Sequence, residues 1–217
     1  MKKFAVVLSG CGVFDGAEIH EATLSLLAIA RQGATYEIFA PDMDQHHVIN
    51  HLTGKELDES RNVLVESARI ARGKIRDLEE FNPSGFDGIL LPGGFGAAKN
   101  LSSWANDGPE SMVIPGVEKA IRGMVEAGKP VGALCISPVL LARIFGDVKI
   151  TIGNDPDTAE AIESLGATHV PAGHGEVVVD ERRKLVTTPC YMLDANIVQI
   201  EVGASQVVRT MLSLMSA

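Results

Sequence analysis

The segment Val131-Gly-Ala-Leu-Cys-Ile-Ser-Pro138 carries a short apolar run that ends at Cys135 and leads into a predicted helix, Ile136–Ile144. In such a strand-to-helix elbow, the residue at the turn is held above the edge of a sheet in strained backbone. A helix N-terminus favours a thiolate, so we expect a lowered pKa for Cys135, and the free N–H groups there can hold an oxyanion. A free cysteine is more often a small buried hydrophobe, but the elbow context favours a reactive one.

Short apolar runs of the same kind alternate with helical patterns along the chain. The predicted strands are Phe4–Leu8, Tyr36–Ala40, Asp87–Leu91, Pro130–Leu134 and Lys149–Ile152, and Glu176–Asp180 with Lys184–Thr188 predicts a β-hairpin. Besides the elbow helix, helices are predicted at Ala17–Arg31, around Leu64–Ala71, at Pro115–Ala127, from Asp155 (N-cap) to Gly166, and from Ile197 to Met215. This alternation predicts an α/β fold in which helices sandwich a doubly wound, mostly parallel sheet, with functional sites beyond the carboxyl ends of its strands. The polar stretch 42–80 is predicted to leave the sheet.

Length and charge limit the classes of protein that fit. A chain of 217 residues favours one domain, 1–217. The net charge of −9 has no basic cluster, which opposes nucleic-acid binding. Three cysteines cannot all pair, which favours free thiols in a reducing compartment. The five-residue apolar run near the N-terminus is too short for a signal peptide or a membrane helix, so the sequence predicts a cytoplasmic protein without a membrane partner.

A glycine-rich loop, Leu91-Pro-Gly-Gly-Phe-Gly-Ala-Ala-Lys-Asn100, follows another predicted strand. Gly93 and Gly94 allow backbone amides to approach a ligand closely, or they form a merely structural turn. The loop has neither the spacing of a dinucleotide-binding fingerprint nor that of a P-loop. It therefore indicates backbone donors rather than a nucleotide site.

Polar side chains at the start of the first helix lie on the same predicted edge as Cys135. These are Glu18, His20 and Glu21. A buried carboxyl beside a thiol can accept and return a proton, although each of these residues alone fits a solvated first turn of a helix. Cys11 lies on this edge too. It is either a second, resolving thiol for Cys135 or a residue that packs within its loop.

The remaining histidines and Cys190 give weaker signals. His47 and His51 are four residues apart and would share a helix face, a spacing that metal sites use. No HExxH motif or neighbouring cysteine supports a metal there, so we expect no metal. Cys190 has no helix or base context and is predicted to be structural.

Taken together, the glycine loop, the elbow cysteine and Glu21 resemble the PfpI/ThiJ superfamily of class I glutamine amidotransferase-like (flavodoxin-like) proteins. Within it, the chain is similar to the ElbB family of glyoxalases, also described as isoprenoid biosynthesis proteins with an amidotransferase-like domain. The matching motifs are Ser9–Glu21, Ile49–Gly54, Arg61–Leu64, Pro92–Asn100 and Thr187–Pro189. They span essentially the whole chain.

The resemblance implies a role for each residue of the site. Cys135 matches the nucleophile, Glu21 the glutamate bonded to its thiol, and Gly94 and Ile136 the backbone donors of the oxyanion pocket, beside Gly93. The superfamily often adds a histidine after the next strand, but Thr151–Asp155 has none, which makes glutaminase or peptidase chemistry a poor expectation.

The implied activity is that of a glutathione-independent glyoxalase, a lyase of the hydro-lyase type. It would convert glyoxal-type 2-oxoaldehydes to hydroxy acids through a Cys135 hemithioacetal, without any cofactor, in a homodimer. The alternative is a non-catalytic regulatory or redox-sensing protein with an oxidisable elbow cysteine.

Overall fold

Strands and helices alternate along residues 1–215, which a computed structural model describes. Ser216 and Ala217, the last residues of the predicted domain, lie outside the described residues. The strands are β1 (Lys3–Val7), β2 (Thr35–Ala40), β3 (Val48–Asn50), β4 (Lys55–Leu57), β5 (Arg76–Asp77), β6 (Gly88–Leu91), β7 (Val131–Leu134), β8 (Lys149–Ile150), β9 (Thr168–His169), β10 (Val178–Asp180) and β11 (Leu185–Thr188). The helices are α1 (Ile19–Arg31), α2 (Val63–Ile70), α3 (Phe95–Lys99), α4 (Trp104–Asp107), α5 (Pro115–Glu126), α6 (Pro138–Phe145), α7 (Pro156–Ser164) and α8 (Ile197–Leu214).

Seven strands form the central sheet, in the order β10-β11-β7-β6-β1-β2-β5. All neighbours pair in parallel except β10 and β11, which form the antiparallel hairpin that the sequence predicts. The predicted mostly parallel, doubly wound α/β fold is therefore confirmed. The chain winds outward in opposite directions from β1 and β6, and the carboxyl ends of these strands are the expected place for a site.

The central strands are buried on both faces because helices cover both sides of the sheet. Alternate residues of β1 supply the two cores: Phe4 and Val6 pack in the core that includes α1 and α8, whereas Ala5 and Val7 pack in the core that includes α5 and α6. This two-residue period is that of an extended strand. The continuous apolar run of β1 follows from burial on both faces.

One strand prediction is wrong in its placement. Lys149–Ile152 was expected to continue the central sheet, but β8 stops at Ile150 and pairs only with β9, in a separate two-stranded sheet. The position beside β7 is taken by β11, which pairs with β7 from Leu185 to Thr188. Thr151 reaches β11 only through a bond from its N–H to the Thr187 hydroxyl, 3.0 Å long, and so extends no ladder.

The polar stretch after β2 leaves the sheet, as predicted, and folds into the β3–β4 hairpin and α2 before β5 rejoins the sheet. His47 and His51 flank β3 rather than lying on a helix, so the condition for a shared helix face is not met. Extended strand backbone separates residues four apart much further than a helical turn does. Within residues 1–215, no helix has the length and apolar character that a membrane crossing needs.

Candidate functional site

The glycine loop and the elbow meet because β6 and β7 are neighbouring parallel strands, with Leu91 opposite Ala133. The Ser137 hydroxyl donates a 2.7 Å hydrogen bond to the Pro92 carbonyl and ties the two loops together. A Cβ atom on Gly93 would lie 2.4 Å from the Cys135 Cβ and 2.9 Å from its Sγ. Only glycine leaves room at this position, so Gly93 is required for steric reasons and not only for the flexibility of a turn.

Cys135 lies in the strained backbone of the predicted elbow. Its φ is +60°, in the left-handed region that a non-glycine residue seldom adopts. Its own N–H donates a 2.9 Å bond to the Thr188 carbonyl of β11. The N–H groups of Gly94 and Ile136 both bond to its sulfur. The structure thus brings together the thiol and the two backbone donors that the resemblance implies.

Glu21 faces this thiol from the first turn of α1 and is completely buried. Its Oε2 accepts a 2.8 Å bond from the Gly93 N–H, and its Oε1 accepts a 3.2 Å bond from the Tyr191 N–H. The carboxyl also hydrogen-bonds the Cys135 thiol. These contacts fix the carboxyl beside the sulfur, so Glu21 can exchange a proton with Cys135.

Burial changes the proton affinity of both groups. It raises the pKa of Glu21 to about 8, with the nearby Glu18 as a further cause. It also raises the pKa of the Cys135 thiol well above its usual value, and the Glu21 carboxyl adds to this. The expected lowered thiol pKa is therefore wrong, because loss of solvation outweighs the two N–H groups. At neutral pH the pair rests as a thiol beside a neutral carboxyl, and Glu21 becomes a base near pH 8.

Glu18 and His20 serve the site in different ways. The Glu18 carboxylate accepts a 2.7 Å bond from the Glu21 N–H and so caps α1. His20 is exposed and shares a 2.8 Å hydrogen bond, through Nδ1, with the Tyr191 hydroxyl. Sequence reasoning missed Tyr191, which contacts both His20 and Glu21. The placement of Thr187-Thr-Pro189 at the end of a strand was the available signal, because Tyr191 follows it closely.

The structure surrounds Cys11 with other charged groups and places Cys190 near the Cys135 site. The charged neighbours of Cys11 are Glu66, Arg69 and Asp15. The neighbours that raise the pKa of Cys190, after burial itself, include Glu21 and Cys135. Cys190 is therefore a thiol near Cys135 that the sequence did not predict, since β11 rather than β8 lies beside β7.

The two candidate metal ligands are engaged elsewhere. His47 Nε2 lies 3.0 Å from Lys99 Nζ, and His51 Nε2 accepts a 3.2 Å bond from the Phe14 N–H. Across residues 1–215, no three His, Cys, Asp or Glu side chains are grouped as metal ligands would be.

Similar proteins place this chain in a family. The chain is 47% identical, over 222 aligned positions, to the human glutamine amidotransferase-like class 1 domain-containing protein 3, mitochondrial; the match covers 98% of this chain and 83% of that protein. It is 46% identical to the rat ES1 protein homolog, mitochondrial, with 98% and 84% coverage. The chain belongs to the ES1 family. No family model matches this ES1-family protein.

Solved structures agree with the fold. A crystal structure of an isoprenoid biosynthesis protein with an amidotransferase-like domain, from Ehrlichia chaffeensis, has a TM-score of 0.92 and 35% identity, and the match covers 99% of each chain. Glyoxalase III from Candida albicans, at 16% identity and a TM-score of 0.60, shares the fold, with 98% of this chain and 97% of that chain covered.

The predicted cytoplasmic location is wrong by these comparisons, because the human and rat relatives of this ES1-family protein are named mitochondrial. An odd number of cysteines favours a reducing compartment but does not distinguish one reducing compartment from another. The sequence argument therefore had no means of separating the two.

Proposed function

We propose that this ES1-family protein converts a small 2-oxoaldehyde, such as glyoxal, into its hydroxy acid without a cofactor. The observation that carries the proposal is the convergence of Glu21 and two backbone N–H groups, of Gly94 and Ile136, on the Cys135 sulfur. A glyoxalase III with the same fold supports this class of reaction. The narrower ElbB assignment and a homodimer are proposed with it.

The reaction begins when ionised Glu21 takes the Cys135 proton and the sulfur adds to one aldehyde carbon. The carbonyl oxygen becomes an oxyanion that the Gly94 and Ile136 N–H groups stabilise, and it takes a proton to give a hemithioacetal. Glu21 then moves a proton from this carbon to the neighbouring carbonyl carbon through an enediol, while the proton of the new hydroxyl passes to the neighbouring carbonyl oxygen. The product is a thioester of glycolate, and water hydrolyses it to glycolate and the free thiol. Carbon is oxidised at one position and reduced at the next, so no external oxidant is needed.

The closure of the site favours a small substrate. Cys135 is 7% exposed, and Glu21 is fully buried against it. Gly93 and Gly94 leave no space for side chains near the sulfur. A two- or three-carbon aldehyde therefore fits the geometry better than a peptide or a glutamine side chain.

The alternative, a redox-sensing cysteine, draws less support from this site. Peroxide reacts with the thiolate, and sensor cysteines have a low pKa and are accessible. The Cys135 thiol has a raised pKa and is buried. Glutaminase chemistry is not favoured either, because the turn after β11, the strand beside β7, carries Cys190 and Tyr191 rather than a histidine.

Glycolate formation from glyoxal, measured without glutathione, tests the proposal. We expect turnover by the wild type, a loss of at least about 1000-fold in Cys135→Ser, and near wild-type turnover in the matched control Cys190→Ser. Thermal melting checks that both variants are folded. Wild-type turnover in Cys135→Ser, or no turnover in the wild type, contradicts the proposal.

A further inference from the structure

The outer edge of β2 is only partly covered. β5 is two residues long and pairs with β2 at Phe39 and Ala40 alone. The first half of β2, Thr35–Ile38, has β1 on one side and no strand on the other. Exposed edges of this kind are templates for the addition of another strand.

The backbone groups of Tyr36 face this open side. The Thr35 N–H donates to the Lys2 carbonyl, and the Phe39 carbonyl accepts from the Leu8 N–H, so the odd-numbered residues of β2 face β1. Alternation then turns the N–H and C=O of Tyr36 outward. Within the described residues, Tyr36 has no backbone bond outside the strands, so this pair of groups is free to accept a new strand.

A groove of about 720 Å³ lies against this edge. Its apolar lining includes Leu26 of α1 with Ile70 and Ile75, and Tyr36 of β2 also lines it. An extended segment placed beside β2 would present every second side chain to this lining. The groove therefore provides both backbone donors and an apolar floor.

The charged residues that line the groove favour an acidic occupant. Its only acidic lining residue, Glu37, is paired with Lys3 at 2.6 Å and with Arg76 at 3.2 Å. Arg72 and Lys74 also line the groove, are exposed, and have no ion-pair partner within residues 1–215. These cations stand out in a chain of net charge −9. Two copies joined by this edge would bring like charges together, which opposes a second copy as the occupant.

We propose that β2 binds an extended acidic segment of a partner protein by strand addition. The segment pairs with the outward N–H and C=O of Tyr36. Its apolar residues pack on Leu26, Ile70 and Ile75, and its carboxylates meet Arg72 and Lys74. β6 and β1 separate this surface from the strand that carries Cys135, so its occupation is independent of the proposed chemistry.

Fluorescence anisotropy with a fluorescein-labelled heptapeptide that alternates Asp with Val tests the proposal. Tyr36→Pro deletes the outward N–H without removing a bond to β1, because proline is tolerated where a strand N–H faces outward. Tyr36→Val loses the same ring and keeps the N–H. We expect saturable binding to the wild type and binding about tenfold weaker in Tyr36→Pro than in Tyr36→Val. The double variant Arg72→Glu, Lys74→Glu should lose binding.

Several results would overturn strand addition of an acidic segment. The first is an absence of saturable binding at millimolar peptide. The second is an equal affinity of the two Tyr36 variants for the peptide. The third is a wild-type affinity for a peptide with Lys in place of Asp that equals its affinity for the Asp peptide. A change of oligomeric state in Tyr36→Pro without peptide would assign the edge to a second copy instead. Hydrogen exchange at the Tyr36 amide of the wild type gives an independent readout. The peptide should slow this exchange, and unchanged exchange at saturation would also refute the pairing.

Discussion

Two neighbouring strands of the sheet each end in a buried cysteine. Cys135 follows β7 and Cys190 follows β11, and both adopt the left-handed backbone, with φ of +60° and +42°. Burial raises the pKa of both thiols well above the usual value. Their surroundings differ. Two N–H groups and the Glu21 carboxyl bond to the Cys135 sulfur, whereas the Cys190 sulfur faces Gly203 of α8.

The difference shows that a strained strand end does not by itself surround a thiol with hydrogen-bonding groups. Cys135 is followed by the eight-residue helix α6, while Cys190 begins a single 3₁₀ turn, Cys190–Met192. The Cys190 turn serves the site through the next residue, since the Tyr191 N–H holds Glu21. In the proposed reaction, one strand end supplies the nucleophile, and the other supplies a backbone donor that positions the base.

The largest expected effect comes from adding one methyl group beside each cysteine. In Gly93→Ala the new Cβ would lie 2.4 Å from the Cys135 Cβ and 2.6 Å from Glu21 Oε2, so we expect a loss of about 3 kcal/mol in the free energy of unfolding. In Gly203→Ala the new Cβ would lie 3.2 Å from the Cys190 Sγ. The higher helix propensity of alanine offsets the cost of this close contact. We expect a change within about 1 kcal/mol there. Urea denaturation measures both, and equal losses would contradict the contrast.

A pH-dependent effect of intermediate size should be confined to the Cys135 side. The pKa of Glu21 is about 8 in the folded protein and close to 4.5 when unfolded, so the folded state holds a proton that the unfolded state releases between these values. The free energy of unfolding therefore falls as pH rises through this window, by up to about 1.4 kcal/mol per pH unit. Glu21→Gln removes this decline, and denaturation at pH 5, 6 and 7 measures it.

The exposed Glu126 of α5 offers the matched control. Glu126→Gln should follow the wild-type pH dependence, because it leaves the buried carboxyl in place. The same slope in the wild type and in Glu21→Gln would show that Glu21 ionises in the folded state as it does in water. The assignment of Glu21 as a base near pH 8 would then fail.

The sequence predicted the fold and the elbow because local patterns encode them. Apolar runs such as Phe4–Leu8 mark strands that are buried on both faces, and the residues around Cys135 mark a sharp turn before a helix. The shared edge of the predicted sheet already placed Glu18, His20 and Glu21 near Cys135, but only the family resemblance singled out Glu21 and the backbone donors of the glycine loop as its partners. No spacing along the chain brings residues 21, 93 and 135 together; parallel strand pairing does.

The errors have a common physical cause in long-range effects. Lys149–Ile152 has the composition of a central strand, but the β10–β11 hairpin occupies the position beside β7. The proximity of Cys190 to Cys135 and Glu21 was not visible in the sequence either, since these neighbours are distant along the chain. The direction of the Cys135 pKa depends on burial, which a helix N-terminus in the sequence does not reveal.

The smallest expected effect distinguishes the backbone of the Cys190 turn from its side chains. Tyr191 holds Glu21 through its N–H, whereas its hydroxyl bonds only to the exposed His20. Tyr191→Phe keeps the N–H and removes the hydroxyl, so we expect kcat/KM for glyoxal to change by less than about twofold, with an unchanged pH midpoint. The pH profile of turnover checks this. A shifted midpoint would mean that the Tyr191–His20 pair takes part in proton transfer, and the two strand ends would then share the chemistry rather than divide it into nucleophile and support.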